Sequence, residues 1–64
     1  MYHFQVRNIL GDHCVSRIQQ AVLTRDAEAL LRVDRDHNQI TIISDQSRQA
    51  FSQVLEDSGY PALN

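Results

Sequence analysis

The chain has 64 residues, a mass of 7.4 kDa and a formal net charge of −2. That length suits one domain over residues 1–64 and excludes a cofactor domain joined to a separate substrate domain. With 42 % hydrophobic and 22 % charged residues it fits a folded globule, and the acidic balance lacks the basic stripe a nucleic-acid binder needs.

Met1-Tyr2-His3-Phe4-Gln5 has no basic segment followed by an apolar run, so it does not read as a signal peptide. No apolar stretch nears the roughly 18–20 residues of a membrane span. The single cysteine, Cys14, excludes an internal disulfide. Together these features predict a cytoplasmic protein with a reduced thiol and no membrane partner.

Tyr2, Phe4 and Val6 alternate with His3, Gln5 and Arg7, which predicts a half-buried strand. Asn8 to His13 suits a loop, with Asp12 as the helix N-cap. From Cys14 the period changes. Val15, Ile18, Ala21 and Val22 fall at helical spacing, and the helix fades near Arg25-Asp26. Leu31, Val33 and Arg35 alternate with Arg32 and Asp34 in a second strand, and Ile40 and Ile42 mark a third. Asp36-His37-Asn38 supplies the turn of a hairpin. Ser44 or Asp45 caps a second helix with Ala50, Phe51, Val54 and Leu55 on its apolar face. Gly59 ends it in the left-handed conformation. Tyr60 to Leu63 reads as a short final strand, placed at an edge by Pro61.

The order βαββαβ leads to a ferredoxin-like α+β sandwich: a four-stranded antiparallel sheet with two helices on one face. The inward set is Phe4, Val6, Ile18, Val22, Leu31, Val33, Ile40, Ile42, Phe51, Val54 and Leu55. Gly11 to Cys14, His37 and Tyr60 then share one end of the molecule, and His3 lies at the other.

Cys14 is the residue best placed to carry chemistry. Near a helix N-terminus the dipole favours the thiolate, and Asp12 opposes it. Its plain structural role would be a small apolar side chain in the first turn. His13 offers an auxiliary ligand or an exposed loop histidine. His3 and His37 suit solvated surface groups, and Asp34, Asp36 and His37 suit a polar hairpin. No third residue orients His13 toward Cys14 as a catalytic base. There is no phosphate loop and no zinc cysteine pair, so no enzyme is predicted.

The element order and the segment Val6-Arg7-Asn8-Ile9-Leu10-Gly11-Asp12-His13-Cys14-Val15-Ser16-Arg17-Ile18 resemble the heavy-metal-associated domain. That family holds small copper chaperones, mercury-binding proteins and N-terminal domains of metal-transporting P-type ATPases. Its pattern is Gly-Met-x-Cys-x-x-Cys, often with His before the second Cys. Aligned without gaps, Cys14 is the second cysteine and His13 the frequent histidine. Gly11 stands at the first cysteine, Ile9 at the methionine and Asn8 at the glycine. Arg32-Val33-Asp34, Gln39-Ile40-Thr41-Ile42 and Ser58-Gly59-Tyr60-Pro61-Ala62 resemble later family segments.

The resemblance implies a metal-binding protein of copper-chaperone type. It would hold Cu(I), or another soft metal ion, through Cys14 and His13, with Tyr60 and Asp12 beside them. Gly11 supplies no ligand, so one chain offers one thiolate, and the second must come from glutathione, a partner protein or a second chain. The implied partners are a metal ion, a metal-transporting P-type ATPase or other metalloprotein, glutathione, and a second copy in a metal-bridged homodimer. Two alternatives of the same fold stand beside this one: an interaction module that no longer binds metal, and a thiol-based redox sensor.

Overall fold

The computed structural model describes all residues, Met1–Asn64. Strand β1 (Tyr2–Gln5) leads to helix α1 (Asp12–Arg25). Strands β2 (Leu30–Asp34) and β3 (Gln39–Ile43) form a hairpin, and helix α2 (Arg48–Asp57) follows. The sheet is antiparallel in the order β1-β3-β2. In its register Phe4 and Val33 both lie opposite Ile40, and Tyr2 and Leu31 both lie opposite Ile42. The pleat therefore sends these residues to one face. Phe4, Ile40 and Ile42 are fully buried there against Ile18 and Val22 of α1 and Phe51 and Leu55 of α2. His3, Gln39, Leu30 and Arg32, on the opposite face, are exposed.

The structure has three strands and not four. The segment after α2 runs beside β1 without forming a ladder. Pro61 has no N–H to give. One backbone bond is made, from Leu63 N–H to the Gln5 carbonyl at 2.7 Å. The Asn64 side chain then does what a strand backbone would. Its Oδ1 accepts from Gln5 N–H at 2.9 Å, and its Nδ2 donates to the His3 carbonyl at 3.1 Å.

Both expected N-caps are displaced. Gly11, not Asp12, precedes α1, and its carbonyl accepts from Cys14 and Val15 N–H. Asp12 is the first helical residue, and its carboxylate is drawn instead to Arg35, 2.7 Å away. Ser47, not Ser44 or Asp45, caps α2 by accepting from Ala50 N–H at 3.2 Å. Ser44 is occupied in the preceding turn, where it donates to Asp26 and accepts from Gln46 N–H. Gly59 takes the left-handed φ of 92° that ends α2.

Leu31, Val33 and Val54 only flank the core, because β2 is an edge strand and α2 is covered on one side. Ile9, Ala29 and Tyr60 join the core.

Phe51 is fully buried and its ring lies 6.3 Å from that of Tyr2. Phe51→Ala should cost about 3–5 kcal/mol. A domain this size holds only about 3–10 kcal/mol in total. Urea denaturation should show the variant largely unfolded or with a greatly lowered midpoint; an unchanged midpoint would contradict the core assignment.

Candidate functional site

The site is built on the connection between β1 and α1. Asn8 adopts φ 65°, in the left-handed region that asparagine tolerates better than other side chains. Asn8 stands where the heavy-metal-associated pattern has glycine, a residue that also takes this conformation readily. Ile9 then turns inward and is 5 % exposed. The hairpin fixes this loop from outside. The Asn38 carbonyl accepts from Val6 N–H at 2.9 Å, and its side-chain Oδ1 accepts from Ile9 N–H at 3.0 Å. Asn38 itself sits at φ 50°.

Held in this way, the loop delivers Cys14 to the third position of α1, half-buried against Tyr60. The Sγ atom lies 3.8 Å from the Asn8 carbonyl, to which the neutral thiol donates weakly. Several groups favour the ionised form, and they hold the thiol below its ordinary value. The largest influence is the neighbouring Tyr60 phenol, a donor that favours the ionised sulfur. Backbone groups of Leu10 and Gly11 and the positive charge of Arg17 act in the same direction, and burial opposes them. The same contact pushes the Tyr60 phenol up, because an ionised phenol could not donate to the sulfur. Tyr60 is otherwise a core residue, 8 % exposed. It is brought into place when its N–H closes on the Leu55 carbonyl at 2.8 Å, just past Gly59.

The other candidate residues go elsewhere. Asp12 pairs with Arg35. His13 is exposed and lines an open groove with Ser16, Arg17, Gln20 and Asp57. His37 pairs with Asp34 at 2.8 Å and holds that carboxyl below its usual range, and Asp34 Oδ1 also accepts from the N–H groups of Asp36 and His37. These contacts make the hairpin turn a closed polar unit. His3 is at hydrogen-bonding distance from Thr41, 3.1 Å away on the open face of the sheet. No three His, Cys, Asp or Glu side chains gather in a group that could hold a metal ion. One chain therefore offers a soft metal a single sulfur. Asn38, which fixes the loop, escaped sequence reasoning; the only signal was an asparagine at the end of a hairpin turn.

Gly11 is in extended backbone, φ −178° and ψ −174°, which any residue can adopt. A side chain there would meet only the tip of Arg35, 4.0 Å from its Cβ. The place of the family's first cysteine is thus open in both space and backbone.

The sequence matches no family model and no curated protein. Solved structures do match. The copper chaperone Atx1 from Synechocystis PCC6803, in a trimeric form, superposes with a TM-score of 0.90 over 95 % of this chain and 97 % of that one, at 24 % identity. A crystal structure of a gold-binding protein gives 0.87 over 92 % and 91 %, also at 24 % identity. A structure from work on crosstalk between Cu(I) and Zn(II) homeostasis gives 0.89 over 94 % and 95 %, at 22 % identity. The chain has the ferredoxin-like fold of these copper chaperones and metal-binding proteins. No helix is long and apolar enough to cross a membrane.

The thiol shift has a direct readout. Alkylation of Cys14 by iodoacetamide should reach half its maximal rate below the pH of about 8.5 typical of a free thiol. Thiolate would then be present at a pH where an ordinary cysteine is still protonated. Tyr60→Phe removes the largest stabiliser of the thiolate and should move that midpoint upward; an unmoved midpoint would show that the phenol does not act on the sulfur.

Proposed function

We propose that this protein is a cytoplasmic metal-handling domain of copper-chaperone type that contributes one thiolate, Cys14, to a Cu(I) site completed by a sulfur from outside the chain. The observation that supports this reading most is the thiol itself. It stands at the loop-to-helix junction of a copper-chaperone fold, with its ionised form favoured by Tyr60. Thiolate is the form that binds metal. Cu(I) is soft, and two thiolates suffice for a stable low-coordinate site. Other soft metal ions would be held by the same donor.

The donor set fits Cu(I) only in part, since one chain brings one sulfur. The second is assigned to a small thiol such as glutathione, a cysteine of a receiving metalloprotein such as a metal-transporting P-type ATPase, or Cys14 of a second copy. His13 is an auxiliary donor at most, because its side chain lines the groove toward α2. Asp12 acts beside the site by tying the start of α1 to Arg35. Metal passes from one thiol pair to the next, a ligand exchange with no bond of a substrate broken, so the protein is not an enzyme on this reading.

Two experiments test this. In anaerobic, thiol-free buffer, Cu(I) should drive the protein to a dimer at one metal per two chains. With excess glutathione the metal should instead stay on the monomer, and Cys14→Ser should abolish both effects. Tight one-to-one binding to a thiol-free monomer that His13→Ala removes would replace the shared-thiolate site by a Cys-His chelate. An absence of Cu(I) binding in both buffers would favour the interaction module or the redox sensor. Separately, Gly11→Cys should give one-to-one Cu(I) binding that competes with a strong Cu(I) chelator. The backbone and space at Gly11 accept the side chain, so no gain would show that the two sulfurs do not converge.

A further inference from the structure

The two edges of the sheet are treated differently. At the β1 edge, Leu63 and Asn64 occupy the outward backbone groups of His3 and Gln5. At the β2 edge nothing does. Outside its pairing with β3, no backbone N–H or carbonyl of Leu30–Asp34 makes a hydrogen bond. An open groove of about 540 Å³ lies there instead, lined by Ile9, Arg32, Val33, Asp34, Arg35 and Asp36. A free row of strand donors and acceptors is a template for another strand.

We propose that this edge joins two copies of the chain, β2 against β2 in antiparallel register centred on Val33, so that the two sheets run on as one. The charges on the strand select both occupant and register. Arg32 is exposed and has no ion-pair partner within its own chain. Asp34 keeps 45 % of its side chain exposed, and with Oδ1 accepting from the N–H groups of Asp36 and His37 and Oδ2 facing His37, Oδ2 retains one further acceptor position. Directly opposed residues of antiparallel strands lie on the same face. With Val33 facing Val33, Arg32 of each copy lies opposite Asp34 of the other, on the open face of the sheet. Two ion pairs form, while the valines meet on the helix side, where each already flanks the core.

The neighbouring registers fail. Centring on Arg32 or on Asp34 sets like charges face to face. Centring on Leu31 sets Asp34 against Glu28. A strand that pairs well with itself in one register only is complementary to a second copy of the same chain. The contact is isologous, the arrangement of most symmetric dimers. It is made by β2 and not by the loop-to-helix junction that carries Cys14, and it needs neither metal nor thiol.

Sedimentation equilibrium of the metal-free protein, in chelator and reductant, tests this. The protein should associate reversibly to a dimer as its concentration rises into the millimolar range, and added salt should weaken the dimer. Arg32→Asp should raise the dissociation constant roughly tenfold or more, because each copy then sets Asp against Asp34. Asp34→Lys should do the same. Mixing the two variants should restore a heterodimer, since every opposed pair is again of opposite charge. If Asp34→Lys fails to fold, by circular dichroism, the comparison of Arg32→Asp with the natural chain decides alone. A natural chain that stays monomeric throughout, or an Arg32→Asp variant that dimerises as well as the natural chain, overturns the proposal.

Discussion

The site depends on how the β1–α1 loop is held down. Eight residues separate the end of β1 from the Cys14 thiol, and a free segment of that length would have no fixed shape. Two constraints remove the freedom. Ile9 is buried in the core, and Asn38 grips the backbone on either side of Asn8 through its carbonyl and its side chain. The hairpin therefore serves the site although none of its side chains touches the sulfur. Loss of the Asn38 side chain would leave Ile9 N–H without its partner and release the start of α1.

A second consequence follows from which residues fill the motif positions. Asn8 in place of glycine keeps the left-handed turn, and Ile9 in place of methionine keeps the buried anchor. Both substitutions preserve shape. Gly11 in place of cysteine preserves shape as well, since its backbone is ordinary and its surroundings are open, but it removes a donor. The loop thus leaves room for a side chain at Gly11 while offering one sulfur, that of Cys14. Tyr60, from the far end of the chain, favours the ionised form of that sulfur while its ring fills the core.

Much of this was legible in the sequence wherever one face of an element is buried. Phe4, Ile40 and Ile42 alternate, and Ile18, Val22, Phe51 and Leu55 recur at helical spacing, because the period of each element had to match its burial. The ends of the elements were harder to read. Asp12 is a good N-cap by type, but α1 starts one residue earlier than that reading needs, with Gly11 at the cap, and the Asp12 carboxylate faces Arg35 across the fold. Ser44 is equally suitable, but Asp26 and Gln46 engage it first. The last strand failed for a related reason: Asn64 can imitate a ladder with its side chain, and Pro61 cannot take part in one. The Tyr60–Cys14 contact joins residues at opposite ends of the chain. Only the assumed topology placed them together, and whether the phenol shields or tunes the thiol depends on atomic positions that no periodicity encodes.

In the proposed site one chain provides one sulfur to a soft metal and the rest come from outside it. X-ray absorption at the copper edge, on Cu(I)-loaded protein in excess glutathione, counts the ligands directly. Such a site shows two or three sulfurs and no nitrogen at bonding distance, with the metal lost from Cys14→Ser and the spectrum unchanged in His13→Ala. A first shell of one sulfur and one imidazole nitrogen, altered by His13→Ala, would contradict it.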